Sequence, residues 1–121
     1  MKKTVPVKKN YEFQRIFRKG RFFAGKFIIL YVLKNNYGKN RLGITASRKV
    51  GKSVRRNRLK RLIRENYRAY EDFIKDGYDL VFIARDSGTM PDYYDIKKEM
   101  KFLLKKLEVF DQEKWDCLKE C

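Results

Sequence analysis

The chain has 121 residues and a formal net charge of +16, and its basic excess lies in residues 1–68, which hold 22 Lys and Arg but only two acids. It has no histidine and only two cysteines, Cys117 and Cys121, which excludes a tetrahedral Cys/His zinc site within one chain and removes the usual general acid–base residue. No apolar stretch approaches the ~20 residues of a membrane-spanning helix and no signal-like segment follows the N-terminal lysines, so we expect a cytoplasmic protein with a polyanionic partner and no membrane partner.

The chain is predicted to begin with a basic arm that leads into a short helix. Residues 1–9 contain four lysines and one proline and are expected to be extended. Asn10 suits a helix N-cap, and Gly20 suits the position just past the helix end. Between them Phe13 and Phe17 recur at helical spacing, with basic residues on the other side. The pattern predicts an amphipathic helix of about two or three turns.

Four further segments have the composition of strands. Residues 26–34 form an apolar run rich in β-branched and aromatic residues, with Tyr31 on one face. A turn and a second strand at 41–46 follow, and we expect these two strands to form a hairpin. Residues 79–85 read as a buried strand, and residues 21–24 add a short strand. The predicted sheet has about four strands.

The segment before the 79–85 strand carries the densest positive charge. With Ser53 as N-cap, a helix is predicted over 53–75. One face collects its apolar and aromatic residues, together with one amide: Leu59, Leu62, Ile63, Asn66, Tyr67 and Tyr70. The opposite side collects Asn57, Lys60, Arg61, Arg64 and Arg68, with Arg58 at its flank and Arg55 and Arg56 in the first turn. This side lacks the interleaved acids of an ordinary solvated helix, and it therefore indicates contact with nucleic acid.

The last part of the chain completes the predicted fold. An amphipathic helix is expected over 93–109, and the tail 110–121 is acidic and receives no role. The element order is αβββαβα, which predicts an α+β protein, a single-domain α/β sandwich of three helices packed on a mixed sheet. Residues 1–121 are expected to form one RNA-binding domain.

Several short motifs occur in an order that is typical of one known family. The signature Arg-Asn-Arg stands at residues 56–58, inside a longer matching run to residue 64, and Ser-Arg-Lys-Val-Gly precedes it at 47–51. Asn-Tyr-Glu-Phe-Gln-Arg-Ile-Phe at 10–17, followed by Gly20, and the strand at 79–85 complete the pattern. On these residues the chain resembles the protein component of bacterial ribonuclease P, over about residues 5–108.

The resemblance implies a fold and a function. It implies a left-handed crossover from a strand through the basic helix to a parallel neighbour, against the usual right-handed preference. It also implies a protein subunit, without catalytic or metal-binding residues of its own, of the endoribonuclease that removes the 5′ leader from precursor tRNA. The RNA subunit would carry the catalysis and hold the Mg²⁺ ions. The protein would bind that RNA 1:1, and self-association is left open.

The resemblance assigns two binding surfaces. The catalytic RNA would contact Arg48, Lys49, Lys52, Arg55, Arg56, Asn57, Arg58, Lys60, Arg61, Arg64 and Arg68. The leader would lie in a cleft beside the first helix, on Phe13, Phe17 and Tyr31 with Lys9 nearby. Aromatic platforms beside cations hold single strands with little sequence preference, although spacing alone favours an ordinary core role for the three aromatic side chains.

Two other functions fit part of the pattern. A ribosomal-type structural RNA-binding protein would need one basic face but no aromatic cleft. A protein-only nuclease would need clustered carboxylates for two metal ions, and the best candidates, Asp76, Asp79 and Asp86, flank a strand and suit turns better. The RNA-binding subunit is therefore the favoured interpretation.

Overall fold

A computed structural model describes residues 3–47 and 50–120. Its strands are β1 (Thr4–Pro6), β2 (Arg21–Ala24), β3 (Ile28–Lys34), β4 (Asn40–Ala46) and β5 (Tyr78–Ala84). Its helices are α1 (Asn10–Lys19), α2 (Ser53–Tyr70), α3 (Tyr93–Lys106) and α4 (Gln112–Glu120). The strands form one sheet in the order β1-β4-β5-β3-β2, in which β4 is parallel to β1 and β5 and the other pairs are antiparallel. The predicted α+β class with a mixed sheet is confirmed.

The sheet has five strands rather than about four because part of the predicted basic arm is itself a strand. In β1, Val5 lies opposite Arg41, and just after it the Val7 N–H donates to the Leu42 carbonyl at 2.9 Å. An edge strand leaves one side of its backbone unpaired, so Pro6 is tolerated there. The observed element order, βαβββαβαα, replaces the predicted αβββαβα.

The predicted hairpin between residues 26–34 and 41–46 is wrong. β5 lies between β3 and β4, antiparallel to the first and parallel to the second. The turn after β3 crosses the start of β5, where the Asn35 N–H donates to the Gly77 carbonyl at 2.8 Å. Alternation along a strand shows which face is buried, but it does not show which strand is the neighbour. The parallel pair joined by α2 is the crossover that the resemblance implies, and its hand stays a prediction.

The helices lie on opposite faces of the sheet. Leu80 and Phe82 of β5 belong to the main core, which they share with α2 and α3. Val81 and Ile83 point the other way, into a smaller cluster with Ile16 of α1. Since successive strand residues alternate between faces, α1 covers one face alone, and α2 and α3 cover the other.

The end of α2 differs from the predicted boundary near residue 75. The helix ends at Tyr70 and a 3₁₀ turn, Glu71–Phe73, follows. The next residues pair with the segment after α3: the Lys75 N–H donates to the Val109 carbonyl at 2.8 Å, and Ile74 forms a bridge with Phe110. This tertiary pairing takes the backbone groups that a longer helix would use. The acidic tail then forms α4, so the described chain has four helices rather than three.

A buried polar cluster ties β1 to α2. The Thr4 hydroxyl donates to a carboxylate oxygen of Glu71 at 2.6 Å, and it lies 2.8 Å from the Tyr67 hydroxyl. Because the single Thr4 hydrogen is already donated to Glu71, the Tyr67 hydroxyl donates to Thr4. Burial raises the pKa of Tyr67 to about 12, which keeps this donor protonated. The cluster explains how so short an edge strand is held in register.

Candidate nucleic-acid interface

The basic surface is the outer side of α2, and the angular prediction for this helix is confirmed. The helix begins at Ser53, with Lys52 as its N-cap rather than Ser53 itself. The predicted inner face is buried at every position: Leu59, Leu62, Ile63, Asn66, Tyr67 and Tyr70. Buried Asn66 donates to the carbonyls of Leu62 and Tyr93, at 3.0 and 3.1 Å, and so joins α2 to the start of α3. The apolar face thus fixes which side of α2 meets solvent.

The outer side of α2 presents a continuous row of cations. Its exposed cations are Lys52, Arg58, Arg61, Arg64 and Arg68, with the neutral amide of Asn57 among them, while Arg55, Arg56 and Lys60 are partly buried. The family resemblance also assigns Arg48 and Lys49 to the contact with the catalytic RNA, and both lie outside the described residues. We call the row from Lys52 to Arg68 the basic face.

The basic face has almost no acidic counterpart. Within residues 3–47 and 50–120, its one ion pair joins the Arg61 Nε and a Glu65 oxygen across 3.8 Å, with both side chains largely exposed. Such an exposed pair adds little stability. The Nε of Arg55 is buried and has no hydrogen-bond partner. Cations without acids repel one another, so the face gains most from a ligand that brings negative charge.

A second surface is aromatic and lies across the sheet, against α1. Phe17 of α1 meets Tyr31 of β3 edge-on, with ring centroids 5.0 Å apart, and Phe13 lies 6.3 Å from Phe17. All three side chains are partly buried over the small core cluster. The ring of Phe13 covers Gly43 so closely that a Cβ there would lie 2.5 Å from it. These residues are therefore packed against the fold on one side and reachable by solvent on the other.

Phe22 of β2 extends this aromatic surface. It pairs with Tyr31 across the β2–β3 hairpin and stacks on its ring, with centroids 5.0 Å apart, and it is 58% exposed. Phe23 points to the other face and packs on Phe102. Strand alternation would have separated the two phenylalanines once the pairing of β2 with β3 was known. We call Phe13, Phe17, Phe22 and Tyr31 the aromatic cleft.

Lys9 stands at the start of α1 and not among these rings. It is exposed, and its Nζ lies 5.8 Å from the centroid of the Tyr11 ring. The structure therefore brings Phe13, Phe17 and Tyr31 together, whereas Lys9 precedes Phe13 by one helical turn.

An ionic cluster fixes the start of α1 to the sheet. Arg41 of β4 donates to both carboxylate oxygens of Asp79, at 2.8 and 2.7 Å, and it also pairs with Glu12 of α1. The hydrogen bonds to Asp79 are the main reason that the pKa of Arg41 rises above its ordinary value. Two-pronged Arg–carboxylate contacts combine strength with fixed geometry. The cluster therefore orients the helix that carries Phe13 and Phe17.

The part of the chain that the structure describes contains neither a metal-binding cluster nor a membrane-spanning helix. Between residues 3–47 and 50–120, no three His, Cys, Asp or Glu side chains gather closely enough to hold a metal ion. No helix in the same part of the chain has the length and apolar character needed to cross a membrane.

Comparisons with known proteins place the chain in a family. The Ribonuclease P family profile matches residues 1–108. The ribonuclease P protein component of Clostridium botulinum (strain 657 / Type Ba4) is 50% identical over 110 residues, which cover 90% of this chain and 99% of that protein. That of Thermoanaerobacter sp. (strain X514) is 38% identical over 109 residues, covering 90% and 94%.

Solved structures of RNase P proteins have the same fold as this chain. The Staphylococcus aureus RNase P protein superposes with a TM-score of 0.77 at 36% identity, covering 87% of this chain and 96% of that one. The Thermotoga maritima RNase P protein superposes with a TM-score of 0.74 at 31% identity, covering 84% and 96%. The chain therefore belongs to the ribonuclease P family, as a protein component that serves tRNA processing.

Proposed function

We propose that this chain is the protein subunit of ribonuclease P, which binds the catalytic RNA through the basic face and the 5′ leader of precursor tRNA through the aromatic cleft. The RNA subunit then carries out the cleavage and holds the Mg²⁺ ions. The protein neutralises phosphate charge and holds the leader, so that precursor binds better than mature tRNA.

One observation carries the proposal: two chemically different surfaces lie on opposite faces of one sheet. The basic face offers arginines, whose planar guanidinium groups suit the phosphates of a folded RNA. The aromatic cleft offers rings partly open to solvent, which suit the unstacked bases of a single strand. A structural RNA-binding protein with a single RNA contact would need only the basic face. The presence of both surfaces therefore favours a subunit that holds two RNA elements at once.

Reconstitution tests the proposal. The purified protein alone should not cleave precursor tRNA, and addition of the cognate RNA should give cleavage at low Mg²⁺, because protein cations replace part of the counterion shell. Cleavage rates with RNA alone, protein alone and both together distinguish the cases. Specific cleavage by the RNA-free protein would overturn the proposal. If the RNA cleaves at the same rate with and without the protein, the ribosomal-type alternative is favoured.

A pair of charge variants on α2 tests the basic face. Arg61→Ala should weaken assembly with the catalytic RNA about tenfold, since a charge-assisted contact to phosphate is lost. It should also reduce the slope of log affinity against log salt by about one unit. Glu65→Gln removes the one acid of α2 and should strengthen assembly by about twofold. Filter binding over a salt series measures both effects.

Lys98→Ala is the matched control for these variants. Lys98 is exposed on α3, outside the basic face, and its loss changes the net charge by the same amount. It should leave the salt slope unchanged. Equal losses from Lys98→Ala and Arg61→Ala would mean that assembly responds to total charge and not to this face.

A further inference from the structure

A groove lies beside the start of α1, apart from both surfaces described so far. It has a volume of about 550 Å³ and runs between β1, the first turn of α1 and the turn at residues 35–39. Its walls include the side chains of Lys8, Lys9, Tyr37, Lys39 and Arg41. We call it the Tyr37 groove. Its volume falls within the range of small-ligand sites and is ample for one nucleotide.

The ring of Tyr37 is held in place although it is 62% exposed. The guanidinium of Arg41 lies 4.7 Å from the ring centroid, and Arg41 is itself fixed by Asp79. The turn is fastened as well: the Tyr37 N–H donates to the Asn35 side chain at 3.0 Å, and the Asn35 amide donates to the Lys39 carbonyl at 3.1 Å. An exposed ring with a fixed backbone and a fixed cation is an ordered platform for stacking.

The charge of the groove favours an anion. Arg41 is already paired with Asp79 and with Glu12, which also lines the groove, so this cluster offers no free positive charge to a ligand. Lys8, Lys9 and Lys39 are exposed, and in the described ranges 3–47 and 50–120 none of them forms an ion pair with an acid. A tyrosine ring bordered by lysines that lack acidic partners is the combination that binds a base and its phosphates.

The groove continues the line of the aromatic cleft. Lys9 lines the groove, and Phe13 of the cleft follows it by one helical turn of about 5.4 Å. On the sheet, Arg41 of the groove and Gly43 under the Phe13 ring lie two residues apart on the same face of β4. A single strand that leaves the cleft along α1 therefore meets the groove next.

We propose that the Tyr37 groove binds a further nucleotide of the single-stranded leader, with its base on Tyr37 and its phosphates near Lys8 and Lys39. The inference rests on the proposed function, because it extends the path of the same strand. It assigns a role to an exposed tyrosine in the turn between β3 and β4.

The test uses the full chain assembled with the catalytic RNA and a series of precursor tRNAs whose leaders lengthen by one nucleotide. For the unaltered protein, affinity should rise with leader length until the groove is filled. Tyr37→Ala should remove the last increment, a loss of about fivefold or more, and should leave shorter leaders unaffected. Tyr37→Phe should behave as the unaltered protein, because the ring supplies the contact.

Tyr94→Ala is the control, since Tyr94 is 73% exposed on α3 across the sheet and should have no effect at any length. If the unaltered protein gains affinity with leader length and Tyr37→Ala gains equally, the groove inference is overturned and the proposed function stands. An equal loss for mature tRNA would also overturn it, since the groove would then hold another part of the tRNA. If the unaltered protein does not prefer precursors at all, the proposed function fails with it.

Discussion

Phe17→Leu should weaken the binding of leader-bearing precursor tRNA by about five- to 150-fold and leave the binding of mature tRNA unchanged. Stacking of one base on an aromatic ring is worth about 1–3 kcal/mol, and leucine removes the ring while it keeps apolar volume. The ring of Phe17 also steadies that of Tyr31, whose centroid lies 5.0 Å away. The measurement is the ratio of the affinities of the assembled enzyme for precursor tRNA and for mature tRNA, determined under the same conditions.

Leucine is preferred to alanine here because Phe17 packs on a small core as well as facing solvent. Its neighbours in that cluster include Val7, Ile16 and Val81. A leucine keeps most of those contacts, so assembly with the catalytic RNA and the unfolding midpoint should change little. If both substrates lose affinity together, or if assembly falls as much as leader binding, then Phe17 is a core residue and the cleft is not the leader site.

The sequence predicts α2 well because a long amphipathic helix carries its own evidence. Every member of the predicted inner face is buried, from Leu59 to Tyr70, since residues three and four apart share a side whatever the rest of the fold does. The end of α2 was harder to predict. It depends on residues 73–75 pairing with 109–111, more than 30 positions away, and no local pattern encodes that contact.

The prediction of which strands are neighbours was wrong for the same physical reason, because strand pairing also depends on contacts between residues distant in sequence. The runs at 28–34 and 40–46 are consecutive and joined by a turn, so a hairpin is the default expectation. The insertion of β5 between them depends on α2 returning the chain to that gap. β1 escaped prediction because three residues with a proline carry little strand signal, and its register depends on Thr4 reaching Tyr67 and Glu71.

The aromatic cleft shows why a site is harder to predict than a fold. Spacing places Phe13 and Phe17 on one side of α1, but that pattern is the same for a core residue and for a ligand platform. Their partial burial results from α1 being the one described helix on its side of the sheet, so that the rings of the cleft are not covered from above. Phe22 joined the cleft only once the pairing of β2 with β3 was known.

Glu99→Ala should lower the free energy of unfolding by about 3 kcal/mol, which is a large share of the stability of a small domain. The Glu99 carboxylate accepts hydrogen bonds from three successive backbone N–H groups, those of residues 26, 27 and 28, at 2.7, 2.8 and 2.7 Å. Alanine removes all three acceptor contacts at once. Urea unfolding should show a lower midpoint with an unchanged slope. Glu113→Ala, at an exposed position on α4, should have little effect.

A double-mutant cycle with Gly25 tests whether the position of the Glu99 carboxylate is the cause of this loss of stability. A Cβ at Gly25 would lie 2.5 Å from the Glu99 carboxyl carbon, so Gly25→Ala should destabilise the unaltered protein by displacing that side chain. With Glu99→Ala already present the same change should cost far less, because the space is empty. The two costs should therefore be strongly non-additive, by about 1 kcal/mol or more. Simple additivity would show that the carboxylate does not occupy this position.

The hydrogen bonds from residues 26–28 to Glu99, which we call the Glu99 clamp, also link stability to the proposed function. Residues 26–28 lead into β3, which carries Tyr31, and β3 pairs with β2, which carries Phe22. Loss of the clamp should loosen this hairpin before it disturbs α2, because the Glu99 carboxylate bonds directly to the backbone that enters β3. Under conditions where Glu99→Ala remains folded, we expect leader discrimination to fall while assembly with the catalytic RNA is retained. If leader discrimination and assembly fall equally, the clamp stabilises the fold as a whole and does not specifically support the aromatic cleft.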